Sequence, residues 1–76
     1  MDLDVHNMNL YQARIAINSC LRKAKASDYR LRIIHGWQNG DSIKRMIAEE
    51  YAAHPRVLRI FRGDNPGQTE LVLREY

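Results

Sequence analysis

Two short strand-like segments, Leu3-Asp4-Val5-His6-Asn7 and Leu31-Arg32-Ile33-Ile34-His35-Gly36, each carry a histidine at the end and flank one helical stretch. Strands joined through a single helix run parallel, and the crossover between them is right-handed in nearly all such units. Their carboxyl ends then lie at one edge of the sheet, where open α/β sheets place ligands. His6 and His35 are therefore expected to face one site. Residues two apart on a strand share a side, so Asp4 lies on the side of His6 and adds a carboxylate there.

The intervening helix is predicted over residues 10–26. Asn9 is a suitable N-cap, and Leu10, Ala13, Ile17, Cys20, Leu21 and Ala24 recur at helical spacing. Ser27-Asp28-Tyr29 ends it, and Arg30 to Ile34 alternates basic with apolar residues as a strand does. A polar loop with Gly36 and Gly40 leads to Asp41, a candidate cap for a second helix reaching about Ala53, where His54-Pro55 stops it. Residues 57–62 and 69–75 are strand-like, with a hairpin loop between them. The order is βαβαββ: an α/β (α+β) two-layer sandwich with a four-stranded mixed sheet and two helices on one face. The expected core comprises Leu3, Val5, Ala13, Ile17, Cys20, Leu31, Ile33, Ile47, Leu58, Ile60 and Val72, with Tyr51 also read as core.

Seventy-six residues fill one domain, residues 1–76, with a modest core. No apolar run approaches membrane-spanning length, and the acidic start, Met1-Asp2-Leu3-Asp4, does not read as a signal peptide, so the default expectation is a cytoplasmic protein with no membrane partner. Cys20 is the one cysteine, which excludes an internal disulfide and a cysteine-based zinc site. The net charge of +3 is compatible with a nucleic-acid partner and is shared by many unrelated proteins. Its placement says more, with Arg32 on the second strand and Lys44 and Arg45 in the first turn of the second helix.

The parts at the histidine edge would suit phosphodiester cleavage. One imidazole can act as general base and another as general acid, while the N–H groups of a helix N-terminus and a lysine or arginine hold the charged phosphate. Asp4 can orient a histidine, or join His6 and His35 around a divalent ion such as Mg2+ or Mn2+; spacing does not choose between these. Gly36 and Gly40 let the loop turn sharply, and Trp37 can either stack on an unpaired base or cover an apolar edge. Weighed against all of this, a histidine at a strand end is often purely structural.

Leu3-Asp4-Val5-His6-Asn7, Ile33-Ile34-His35-Gly36, His54-Pro55-Arg56-Val57 and the final hairpin together resemble the Smr domain, the small MutS-related module. The resemblance covers nearly the whole chain. It implies a fold similar to the C-terminal domain of bacterial translation initiation factor three and an association with DNA nicking or RNA cleavage. The family's first motif, leucine-aspartate-x-histidine-glycine, maps onto Leu3, Asp4, His6 and Asn7, with asparagine in the last place. The second, histidine-glycine-x-glycine, maps onto His35 and Gly36, but Gln38 stands where the second glycine is expected, and Gly40 follows two positions later.

The expectation is a small nucleic-acid-binding protein, monomeric by default, with an endonuclease as its enzymatic form. Asp4, His6 and His35 would be the catalytic residues, and Gly36, Trp37, Gly40, Arg32, Lys44 and Arg45 would contact nucleic acid. The alternatives are a non-catalytic RNA- or ribosome-binding module and a protein-interaction domain docking through its sheet face or the Trp37 loop.

Overall fold

The computed structural model describes residues 1–36, 41–62 and 65–75. Its elements are β1 (Asp2–Asp4), α1 (Leu10–Lys23), β2 (Arg30–Ile34), α2 (Ser42–Glu50), β3 (Arg59–Phe61) and β4 (Gln68–Val72). The sheet order is β1-β2-β4-β3, with β1 parallel to β2 and the other neighbours antiparallel. No helix among the described residues is long and apolar enough to cross a membrane.

Alternation along the strands divides the sheet into two unlike faces. Leu3, Ile33 and Thr69 lie in one cross-strand row, and Leu31, Leu71 and Ile60 in the next. With Val5, these side chains meet Ala13, Ile17 and Leu21 of α1 and Met46, Ile47 and Tyr51 around α2, forming the core. The opposite face carries Asp2, Arg32, Glu70 and Phe61 in one row and Arg30, Val72 and Arg59 in another. The helices are also tied to each other. Arg14 grips Glu50 through two hydrogen bonds of 2.8 and 2.7 Å, and the Tyr51 hydroxyl donates to Asn18 Oδ1 at 2.6 Å.

Several boundaries differ from the sequence expectation for local reasons. Asn9 caps α1 in a reciprocal capping box with Gln12, but the helix stops at Lys23, not residue 26. The carboxylate of Asp28 captures the Lys25 N–H at 2.8 Å, which holds this segment in a turn. The second helix ends at Glu50, followed by turns through Tyr51, His54 and Val57. Asp41 occupies the N-cap position of α2 without making a side-chain cap; its carboxylate accepts from Arg45 at 3.1 Å instead.

The core also differs in part. Leu58 is 59% exposed, because it lies in a bend ahead of β3 where strand alternation does not yet apply. Leu3, Cys20 and Ile60 are half-buried against the core, while Leu21, Met46, Val57 and Leu71 complete it.

Candidate nucleic-acid interface

The ladder between β1 and β2 continues beyond Asp4, with the Val5 N–H donating to the Ile34 carbonyl at 2.9 Å. The chain then turns, and the Met8 N–H bonds back to the Val5 carbonyl at 3.0 Å. On the neighbouring strand, the N–H groups of His35 and Gly36 both donate to the Gly67 carbonyl, at 2.9 and 3.0 Å. Gly36 takes φ +72°, and a Cβ built there would stand 3.4 Å from the His6 Cβ. The left-handed backbone is what calls for a glycine here, and a side chain would also come into contact with the first histidine segment.

This crossing brings both histidines to one cleft of about 220 Å³, lined also by Met8, Asn9, Ser42, Ile43 and Lys44. The shared edge expected from the parallel crossover is present, and the N-terminus of α2 opens onto it. That helix end offers backbone N–H groups and a partial positive potential to an anion. The Lys44 side chain has no ion-pair partner among the described residues.

The histidines are not equivalent. His6 Nδ1 lies against Asp4 Oδ1, and the His6 backbone N–H donates to the same oxygen at 3.1 Å. These hydrogen bonds hold the Asp4 carboxyl below its ordinary pKa, the side-chain bond contributing most. A carboxylate only accepts, so Nδ1 carries the proton and the neutral ring presents an Nε2 lone pair. Both side chains are about half exposed, and Nε2 has no partner among the described residues.

His35 is closed. It continues the row of Leu31 and Ile33 on the helix-covered face and is 7% exposed. Its Nδ1 donates to the Gly36 carbonyl at 2.9 Å, since a carbonyl can only accept. Its Nε2 meets the hydroxyl of buried Thr69 at 2.8 Å, which donates to it when the ring is neutral. Neither nitrogen is left for a ligand.

Other expected residues are distributed unevenly around this geometry. Arg32 lies on the uncovered sheet face, 3.5 Å from Glu70 and 4.0 Å from Asp2, and does not line the cleft. Arg45 is paired with Asp41 and also lies outside the lining. Trp37 and Gly40 fall outside the described residues. Among the described residues, no three His, Cys, Asp or Glu side chains come together in a metal-holding group. The two-histidine, one-carboxylate arrangement is not formed, because both nitrogens of His35 are engaged elsewhere.

Sequence reasoning missed Thr69, whose partnership with His35 follows from the antiparallel register of β4 on β2. It also missed Met8 and Ser42 as lining residues. The only sequence signal for Thr69 was a small polar residue in a strand whose alternate positions face the core.

The family model described as the Smr domain matches residues 3–69. Among solved structures, the Smr domain of Thermus thermophilus MutS2 superposes with a TM-score of 0.84 at 22% identity. The superposition covers 97% of this chain and 98% of that one. At that identity the likeness carries the fold alone. No curated protein matches the sequence.

Proposed function

Because the chain belongs to the Smr domain family, we propose that it binds nucleic acid at the histidine edge and cleaves a phosphodiester there, with His6 as general base and Asp4 as its orienting partner. The observation that carries this reading is the His6 ring, with Nδ1 on a carboxylate and Nε2 without a partner among the described residues, at a cleft shared with Lys44 and the start of α2. In that role Nε2 takes the proton from an attacking hydroxyl or water. The oxygen of that nucleophile bonds to phosphorus as the bond to the leaving oxygen breaks, and the leaving oxygen takes a proton from solvent. Lys44 and the first-turn N–H groups of α2 hold the phosphate oxygens where negative charge builds. His35 acts through its backbone surroundings, fixing the Gly36 turn against which His6 rests. Arg32 and Arg45, already paired with carboxylates, serve as outlying contacts to the strand.

The second reading is a binding module without turnover, favoured by one observation: His35 has no free nitrogen with which to protonate a leaving group. The two readings separate when purified protein is incubated with labelled RNA and with supercoiled plasmid in Mg2+, Mn2+ or EDTA. Cleavage predicts product that falls by about 100- to 10,000-fold in His6→Ala. Asp4→Asn should lower it by about 10- to 100-fold, a range borrowed from groups that orient metal-bound histidines. Product unchanged in His6→Ala contradicts the catalytic assignment. Retention of labelled RNA with no product under any condition establishes the binding module. In either case Lys44→Ala should reduce the steepness of the salt dependence by roughly one phosphate contact.

A further inference from the structure

The end of the sheet opposite the histidines holds a second open cleft, of about 300 Å³, where Leu21, Leu58 and Leu73 are ringed by Lys25, Arg56 and Arg74. The Leu73 N–H donates to the Tyr29 carbonyl at 2.7 Å, which places this cleft where β2 begins and β4 has ended. Its lining is one-sided in charge. Among the described residues lining it, Asp28 is the one acid, its carboxylate turned onto the Lys25 backbone N–H, and Glu75, beside Arg74 at the extension of the cleft, is paired with Arg59 at 2.7 Å. The side chains of Lys25 and Arg74 have no ion-pair partner among the described residues. Arg56 is held in place by donating Nη1 to the Leu21 carbonyl at the end of α1, while Nε and Nη2 have no partner among the described residues.

The apolar part is equally specific. Leu58 belongs to a strand-like run, yet is 59% exposed, and with Leu73 and Arg74 it extends the cleft toward Tyr29. An exposed aliphatic wall beside a fixed guanidinium and two unpaired cations complements a ligand that is acidic and aliphatic at once. We propose that this cleft docks an acidic peptide segment of a partner protein, seating an aliphatic side chain on Leu58 and Leu73 and carboxylates on Arg56, Lys25 and Arg74. A nucleic-acid strand would satisfy the cations but brings no aliphatic group to the leucine wall. A peptide supplies both. The cleft is separate from the histidine edge, so the proposal stands or falls independently of the activity there.

The test uses the 76-residue chain and the fluorescein-labelled peptide Asp-Glu-Asp-Leu-Leu-Asp-Glu, followed by anisotropy and by amide NMR shifts. Saturable shifts are expected at Lys25, Leu58, Leu73 and Arg74. Leu58→Ser should weaken binding about tenfold, and Arg74→Ser about two- to fivefold. Both variants should leave nucleic-acid binding and any cleavage at the histidine edge unchanged, and their amide spectra away from the cleft should match the parent. A peptide with serine in place of leucine should bind at least tenfold more weakly. Equal binding of the serine peptide, shifts at the histidine edge instead, or no binding at all would overturn the proposal. So would displacement of the peptide from the cleft by a single-stranded oligonucleotide, which would make it a phosphate site.

Discussion

Replacing Thr69 by valine preserves the shape of the side chain and deletes the hydroxyl that meets His35 Nε2 at 2.8 Å. Thr69 is 2% exposed and His35 7%, so water does not reach the vacated position without opening the core. Among the described residues no buried side-chain polar atom lacks a partner, and this variant would create one. Leaving a buried ring nitrogen unpaired costs about 1–3 kcal/mol. For a domain of this size each kcal/mol lowers Tm by roughly 4–8 °C. The assay is urea unfolding of the parent, Thr69→Val, His35→Phe and the double variant. In the His35→Phe background there is no nitrogen to strand, so adding Thr69→Val should be nearly neutral and the cycle should show a coupling of at least about 1 kcal/mol. A cost of Thr69→Val that is the same in both backgrounds, or less than about 0.5 kcal/mol in the parent, would rule out this buried hydrogen bond as a source of stability. Either result would mean that His35 Nε2 does not depend on the Thr69 hydroxyl.

Gly36→Ala places a Cβ 3.4 Å from the His6 Cβ on a backbone with φ +72°. It should cost about 1–2 kcal/mol for the left-handed conformation and move the His6 amide resonance; a variant as stable as the parent would show that this turn relaxes freely. Asp4 and Glu50 both have carboxyl pKa values below the ordinary range, Asp4 through hydrogen bonds from His6 and Glu50 through the Arg14 guanidinium. A folded value below the unfolded one stabilises the fold above pH about 4–5, and the stabilisation is lost as pH falls through the folded value. Asp4→Asn and Glu50→Gln should therefore each flatten the acid limb of stability against pH, followed by thermal unfolding from pH 6 down to about pH 2; limbs as steep as the parent's would contradict the two pairings.

The parts of this fold that were legible in the sequence are those governed by local pattern. Arg30–Ile34 stands where its alternation placed it, and Asn9 caps α1 because its side chain and Gln12 satisfy each other across three residues. What was not legible depended on partners far along the chain or on competition within a turn. The end of α1 was decided by Asp28 reaching back to Lys25, and the burial of Thr69 by the register of β4. Leu58 looked like core because its neighbours alternate, yet the strand begins one residue later. The site shows the same division. The parallel crossover brought His6 and His35 to one edge, as the two histidine-ended segments implied. Their inequivalence was already latent in the parity of the strands, since His35 follows Leu31 and Ile33 toward the helices while Asp4 follows Asp2 toward solvent. Recognising it required knowing which face the helices cover, and that Thr69 lies beneath. Arg32 was a reasonable phosphate contact by charge, but the register sets it between Asp2 and Glu70, on the face away from the helices.

One imidazole at the cleft is open and the other is closed. Long-range proton–nitrogen NMR of the histidine rings, recorded during titration with a short single-stranded RNA, tests this directly. Free His6 should show a protonated Nδ1 and an unprotonated Nε2 when neutral, and Nε2 should shift progressively as RNA is added. The His35 ring nitrogens should stay in place throughout. Movement of the His35 nitrogens with those of His6 unchanged would contradict the assignment of His6 as the group that meets the nucleic acid.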